Sequence, residues 1–240
     1  MEHLILVAGH AVYLAPDFTR PEADESWFLQ DFQRGEPPFY IEHIRRGVEL
    51  AAQNAGALLL FSGGPTRRAA GPRSEAQSYW YLAEHFGWFG CENVRERAAT
   101  EEFARDSFEN VLFGLCRFHE IAGRWPARLT VVSWTFKSAR FDLHRAALRW
   151  PWERWEFIGA HNPLDLAGAE AGERQAHQQF KQDPYGAQLP LSDKRQARNP
   201  FRRQPPYALS CPEVAALLNH RGPERYDGWL PWAGPESPHG

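Results

Sequence analysis

The chain has 240 residues, 43% of them hydrophobic and 24% charged, with ten Trp, sixteen Phe and seven Tyr. That supply of bulky apolar anchors excludes wholesale disorder and fits one large α/β domain. Lys and Arg total 27 against 30 Asp and Glu, a formal charge of −3, so the basic excess of a protein that grips nucleic acid by neutralising phosphates is absent.

The longest apolar run, Ala55 to Phe61, is too short to span a bilayer. The opening MEHLILVAGHAV has no cationic leader and is interrupted by His10, so no secretory signal is readable. Cys91, Cys116 and Cys211 are few, odd in number and far apart, which fits neither zinc spacing nor a disulfide framework. The expectation is a cytoplasmic protein with no membrane partner.

Leu4 to Ala8 is a compact apolar run ended by Gly9-His10 and reads as a buried parallel strand. Residues 16 to 39 mix prolines with charges and read as an irregular excursion. Tyr40, Ile44, Val48 and Ala51 recur at helical spacing, with Gly56 closing the segment. Ala57 to Phe61 is a second buried strand, followed by Ser62-Gly63-Gly64-Pro65-Thr66. Ser74 and Gln77 form a capping-box pattern that opens a helix running to about Phe86. A weak third strand is expected within Cys91 to Arg97. Phe108, Val111, Leu112, Leu115, His119 and Ala122 then mark the clearest helix, capped at Thr100 or Ser107. Leu129 to Ser133 is a strand, Ser138 to Leu148 a helix, and Trp155 to Gly159 a further strand.

This alternation predicts a doubly wound, mainly parallel, Rossmann-like α/β sheet with helices on both faces. From Asp183 onward prolines punctuate an irregular tail, with a short helix expected within Cys211 to His220. Its Tyr185, Phe201, Tyr207, Leu209, Trp229 and Trp232 are too apolar for a free linker. Residues 1–182 are therefore taken as the α/β domain and 183–240 as an extension packed on it.

Ligands of an open parallel sheet bind beyond the carboxyl ends of its strands, here Gly9-His10, Ser62-Gly63-Gly64 and Ser133-Trp134-Thr135. At the second end, Gly63 and Gly64 either make a nest of N–H groups for an anion, backed by Arg67, or only a tight turn. Neither nucleotide fingerprint and no nucleophile elbow is met. Asp106, Ser107, Glu109 and Asn110 open the clearest helix. There the carboxylates and the amide are candidates for binding ribose, orienting water or holding a metal; an ordinary capped helix start is the alternative. Lys137, Arg140 and His144 stand a helical turn apart and present three potential cations to an anion. His10 is a candidate acid, base or ligand. Glu75 is either a base beside the nest or an acid complementing a helix N-terminus. The run Lys194 to Arg203 holds five cations, for which intramolecular pairing or an anionic small ligand is preferred to nucleic acid.

The ordered set VAGHAV, LLLFSGGPTR, SEAQSY, DSFEN and VVSWTFK-SARF resembles the YdcF-like family, domain of unknown function 218. The tail segments DPYG, KRQARNPF, PPYALSCPE and LPW resemble a soluble subgroup common in fungi. Arg140 matches the family's arginine, whereas Ser107 stands where Thr is usual and Lys137 where many members have His. The resemblance implies a Rossmann-like fold, an enzymatic pocket and binding of a nucleotide-like cofactor such as S-adenosylmethionine.

The leading expectation is an enzyme, a hydrolase or group transferase, acting on a small phosphorylated or nucleotide-like anion. Gly63, Gly64 and Arg67 would hold the anion, with Arg140 and Lys137 as a second clamp. Gly9, His10, Ser62, Ser107 and Asn110 would complete the binding site. Glu75, Asp106 and Glu109 would orient or deprotonate a hydroxyl or water, with Lys137 a fourth catalytic candidate. The alternative is a non-catalytic module that binds a nucleotide or S-adenosylmethionine. If the extension covers the strand ends, Arg198, Asn199 and Arg202 join the pocket.

Overall fold

The structure, a computed structural model, describes residues 1–233. Its strands are β1 (His3–Ala8), β2 (Val12–Tyr13), β3 (Trp27–Phe28), β4 (Ala57–Ser62), β5 (Ala98–Glu101), β6 (Arg128–Ser133) and β7 (Trp155–Gly159). Its helices are α1 (Pro37–Ala52), α2 (Glu75–His85), α3 (Ser107–Ala122), α4 (Ser138–Ala147), α5 (Leu166–Gln182), α6 (Leu191–Ala197), α7 (Tyr207–Ser210) and α8 (Ala215–Leu218).

Five strands form one sheet in the order β5-β4-β1-β6-β7, every neighbouring pair parallel. This is the Rossmann-like doubly wound arrangement. The central strand β1 explains its own composition: Ile5 and Val7 pack on the α1 and α2 side, whereas Leu4, Leu6 and Ala8 pack on the α3 and α4 side. A strand covered on both faces needs apolar residues at every position rather than at alternate ones.

Several boundaries differ from the sequence reading. The excursion at 16–39 contains the antiparallel β2–β3 pair, anchored where Trp27 Nε1 donates to the Pro21 carbonyl at 2.7 Å. α1 begins at Pro37, because prolines at the first helical positions lack only N–H groups that would go unpaired there. The third strand of the sheet lies at Ala98–Glu101, and Glu92–Arg97 coils into 3-10 turns instead. Neither Thr100 nor Ser107 caps α3: the Asp106 carboxylate accepts from the Glu109 amide at 2.9 Å, and Thr100 belongs to β5. α5 was not anticipated, since Phe180 is its one buried side chain and no apolar stripe announces it.

The C-terminal segment completes the α3–α4 face of the core. Tyr185, Leu191, Tyr207, Cys211, Leu217 and Trp232 cluster there with Leu4, Leu6, Val111 and Leu115. Trp232 Nε1 donates to the Leu148 carbonyl at 2.7 Å. Among the described residues no helix is long and apolar enough to cross a membrane.

Candidate functional site

The strand order reverses at β1, with β4 and the chain's first half on one side and β6 and its second half on the other. At such a switch point the loops leaving adjacent strands diverge and leave a crevice. A cleft of about 470 Å³ opens there. A groove of about 530 Å³ between α4 and the segment around Tyr185 is larger, but it lies away from the strand ends and gathers none of the candidate residues.

Nine of the sequence-predicted residues line the cleft: Gly9 and His10 after β1, Arg67 and Glu75 after β4, Asp106, Ser107 and Asn110 at the start of α3, and Lys137 and Arg140 after β6. Ser62, Gly63, Gly64 and Glu109 do not. Thr66, Glu36, Trp134, Glu173 and Lys194 also line it, together with Arg198 of the tail, whereas Asn199 and Arg202 stay outside. Glu36 and Glu173 carried no sequence signal, because each lies in a stretch without motif or periodicity.

The anion nest expected at Gly63 and Gly64 does not form. Their amides donate to the carbonyls of Glu101 (3.0 Å) and Ala104 (2.8 Å). The first amides of α2 are taken as well: Glu75 and Ala76 donate to the Gly64 and Gly63 carbonyls, and Gln77 donates to Ser74 Oγ. The glycines serve Glu75 instead. A Cβ at Gly9 would lie 2.7 Å from Glu75 Cβ, and one at Gly63, where φ is +152°, would lie 2.6 Å from Glu75 Oε2. Their bare backbones thus seat the Glu75 side chain over the ends of β1 and β4. Thr66 Oγ1 donates to Glu75 Oε1 at 2.8 Å. Burial pushes the Glu75 carboxyl above its usual range, against the pull of Thr66, Arg198, Arg67 and Lys137.

Across the cleft, Lys137 Nζ lies 3.4 Å from His10 Nδ1, and His10 Nε2 lies 3.4 Å from Ser133 Oγ. Burial, then Lys137, His43 and Arg140, hold His10 well below the usual imidazole range, so it is neutral. With Lys137 donating to Nδ1, the ring proton sits on Nε2 and points at Ser133. Lys137 is pushed down to about 8 by burial and then by Arg140, partly offset by Glu173 and Glu36, with Arg198 lowering it further. Trp134 packs against His43 (4.8 Å) and His10 (5.9 Å), walling this end with aromatic surface.

The expected trio of cations on α4 is reduced. Arg140 makes a bidentate pair with Glu173 (2.8 and 2.7 Å) and donates to Ser107 Oγ at 3.1 Å. His144 is fully buried, 2.7 Å from Ser107 Oγ through Nε2, and burial followed by Arg140 lowers it to about 3. It is therefore a neutral support for Ser107 and carries no charge.

The catalytic role expected of Asp106 and Glu109 also gives way. Asp106 uses one oxygen to cap α3 and the other to accept from Arg195 Nε at 2.8 Å. Against the upward push of burial, Arg195 and the Glu109 amide hold it below its ordinary range. Glu109 is 3% exposed and clamped between Arg105 (Nε, 2.8 Å) and Arg195 (3.1 Å). Carboxylates whose oxygens are paired inside the wall have none free to take a proton from a ligand. Beneath them, Asn110 donates to Ser62 Oγ, which donates to the buried Glu101. Ser62 is a link in the floor, out of reach of the cleft.

The lining carries Arg67, Arg105, Lys137, Arg140, Lys194 and Arg198 against Glu36, Glu75, Asp106 and Glu173. Two of these acids, Glu36 and Glu75, are pushed upward by burial, which favours their neutral forms. Among the described residues, Arg67, Lys137 and Arg198 have no carboxylate oxygen within ion-pair distance. The cleft is therefore a positive patch on a chain of net charge −3. Also among those residues, no three His, Cys, Asp or Glu side chains come together as a metal site.

The chain is similar to a Saccharomyces cerevisiae protein described as "Uncharacterized protein YOR238W". The two are 27% identical over 267 aligned positions that cover 88% of each chain. The chain matches no protein-family model and no solved structure.

Proposed function

We propose that this protein is a cytoplasmic enzyme, a hydrolase or group transferase, that binds a small phosphorylated or nucleotide-like anion in the cleft at the switch point. The observation that carries this reading is the set of three partly buried cations, Arg67, Lys137 and Arg198, which line the cleft with no carboxylate partner among the described residues. Partly buried charge without a counter-ion is costly, and an anionic ligand supplies the missing one. Ser107 and Asn110 add polar groups to the same wall, and Glu75 is the carboxyl left free to carry a proton. The segments that carry the resemblance to the YdcF-like family, SGG, SEA, DSFEN and TFK-SAR, all fall at this edge of the sheet. A nucleotide or phosphate ester suits the cations better than S-adenosylmethionine, whose sulfonium would add positive charge.

The test is thermal unfolding of the wild type, Arg67→Ala and Arg198→Ala with inorganic phosphate, phosphorylated sugars and nucleotides. A ligand at about a hundred times its dissociation constant stabilises the folded state by roughly 2.7 kcal/mol. Stabilisation of the wild type that shrinks in both variants is expected. Full stabilisation surviving in both would place the anion elsewhere and refute the assignment.

A further inference from the structure

The chain contains 24 arginines and three lysines, Lys137, Lys181 and Lys194. Where a fixed positive charge suffices, arginine serves, and it does not give up its proton. Lysine adds one capacity, since its deprotonated form is a primary amine and a nucleophile. Lys181 lies outside the cleft, and the exposed Lys194 gives its Nζ to Gln179 Oε1 at 2.9 Å. Lys137 is partly buried in the cleft, 3.4 Å from a neutral imidazole nitrogen and without a carboxylate partner among the described residues. Arg140 follows it by one helical turn.

Resting on the anion-binding reading above, we propose that Lys137 is a nucleophilic amine that forms a reversible imine with the carbonyl carbon of a small phosphorylated aldehyde or ketone. Desolvation beside a second cation is an established way to free a lysine amine. Burial, with Arg140 beside it, lowers the Lys137 amine to about 8, so at neutral pH more of it is the free amine than for an ordinary lysine. The groups that face it are His10 just after β1, Glu36 before α1 and His43 on it, Glu75 from α2, Arg140 from α4, Glu173 from α5 and Arg198 just after α6.

The step balances without an oxidant or reductant. The Nζ lone pair forms the nitrogen–carbon bond while the carbonyl π pair moves to oxygen. The proton that nitrogen sheds passes by way of His10 Nδ1 to that oxygen, so the imidazole ends neutral and a carbinolamine stands. Glu75, whose raised carboxyl favours the protonated form, gives its proton to the departing hydroxyl, and water leaves as the nitrogen lone pair closes the double bond. Amine, carbonyl and the Glu75 carboxylic acid become protonated imine, water and the Glu75 carboxylate. Arg67 and Arg198 hold the phosphate, and the imine then serves as the electron sink for a carbon-group transfer.

The experiment incubates the full chain with glycolaldehyde phosphate at pH 7, reduces with sodium borohydride, and maps adducts by peptide mass spectrometry. Labelling of Lys137 is expected to exceed that of Lys181 and Lys194 by about tenfold or more. Inorganic phosphate should suppress it without changing labelling of Lys181. Lys137→Arg should lose the adduct while keeping its thermal stabilisation by phosphate. Equal labelling of all three lysines, or equal labelling by unphosphorylated glycolaldehyde, overturns the proposal. If phosphate stabilises the protein but Lys137 stays unlabelled, the imine is wrong and the anion site stands. If phosphate neither stabilises nor protects, both fail together.

Discussion

Glu75 stands over the strand ends because residues 9 and 63 have no side chains, and this can be tested by filling the space. In Gly9→Ala the new methyl would meet Glu75 Cβ at 2.7 Å and the Ser62 carbonyl and Glu75 Oε2 at 3.1 Å. The first of these atoms is fixed to the start of α2 and the second to the end of β4, so neither yields by a rotamer change. Overpacking of this kind costs about 1–3 kcal/mol. For a chain of this size about 2 kcal/mol corresponds to a fall in Tm of roughly 4–8 °C. Glu75→Gly removes both Glu75 atoms from the contact, so Gly9→Ala on that background should cost about 1–2 kcal/mol less than on the wild type. Glu75→Ala keeps the Cβ and should restore little. Urea or thermal denaturation of the single and double variants reads the coupling. Additivity of Gly9→Ala and Glu75→Gly within about 0.5 kcal/mol would refute the idea that the glycine exists to seat the glutamate.

Arg195→Ala should destabilise by about 3–5 kcal/mol, because it leaves the buried Asp106 without its cation and leaves Glu109 with Arg105 alone; a loss below about 1 kcal/mol in thermal melts would show that Asp106 is neutral or solvated. His43 and His144 are both lowered to about 3 by burial, with Lys137 next for His43 and Arg140 next for His144. Each lies below its unfolded value, so the unfolded chain binds the extra proton. Stability is therefore full above about pH 6.5 and falls as the pH drops toward 3. Neither ring nitrogen of His43 has a hydrogen-bond partner among the described residues, so His43→Phe loses no polar contact. It should remove about 2 kcal/mol of the loss between pH 7 and pH 5, read by urea denaturation at both values; an unchanged loss would place the acid sensitivity elsewhere.

Much of the site could be located before any fold was seen, because in a doubly wound sheet the functional edge is fixed by where apolar runs end. Gly9-His10, Arg67 and Lys137-Arg140 are legible that way and line the cleft, whereas Ser62, Gly63 and Gly64, read from the same edge, do not. β5 was misplaced because its sequence, Ala98–Glu101, is short and only its last residue is buried. Glu101 itself is held inside by Ser62 and by Tyr207, a partner 106 positions away.

Local sequence by itself determined the strands β1, β4, β6 and β7, the helices α1 to α4 and the edge at which the cleft opens, since hydrophobic periodicity is a property of neighbouring residues. Only the tertiary structure decided which charges are spent. Arg195 reaches Asp106 across 89 positions, and Arg140 meets Glu173 across 33. Arg67, Lys137 and Arg198 are left to face the cleft. Whether a charge is neutralised depends on distance and burial, and the spacing of residues along a chain encodes neither.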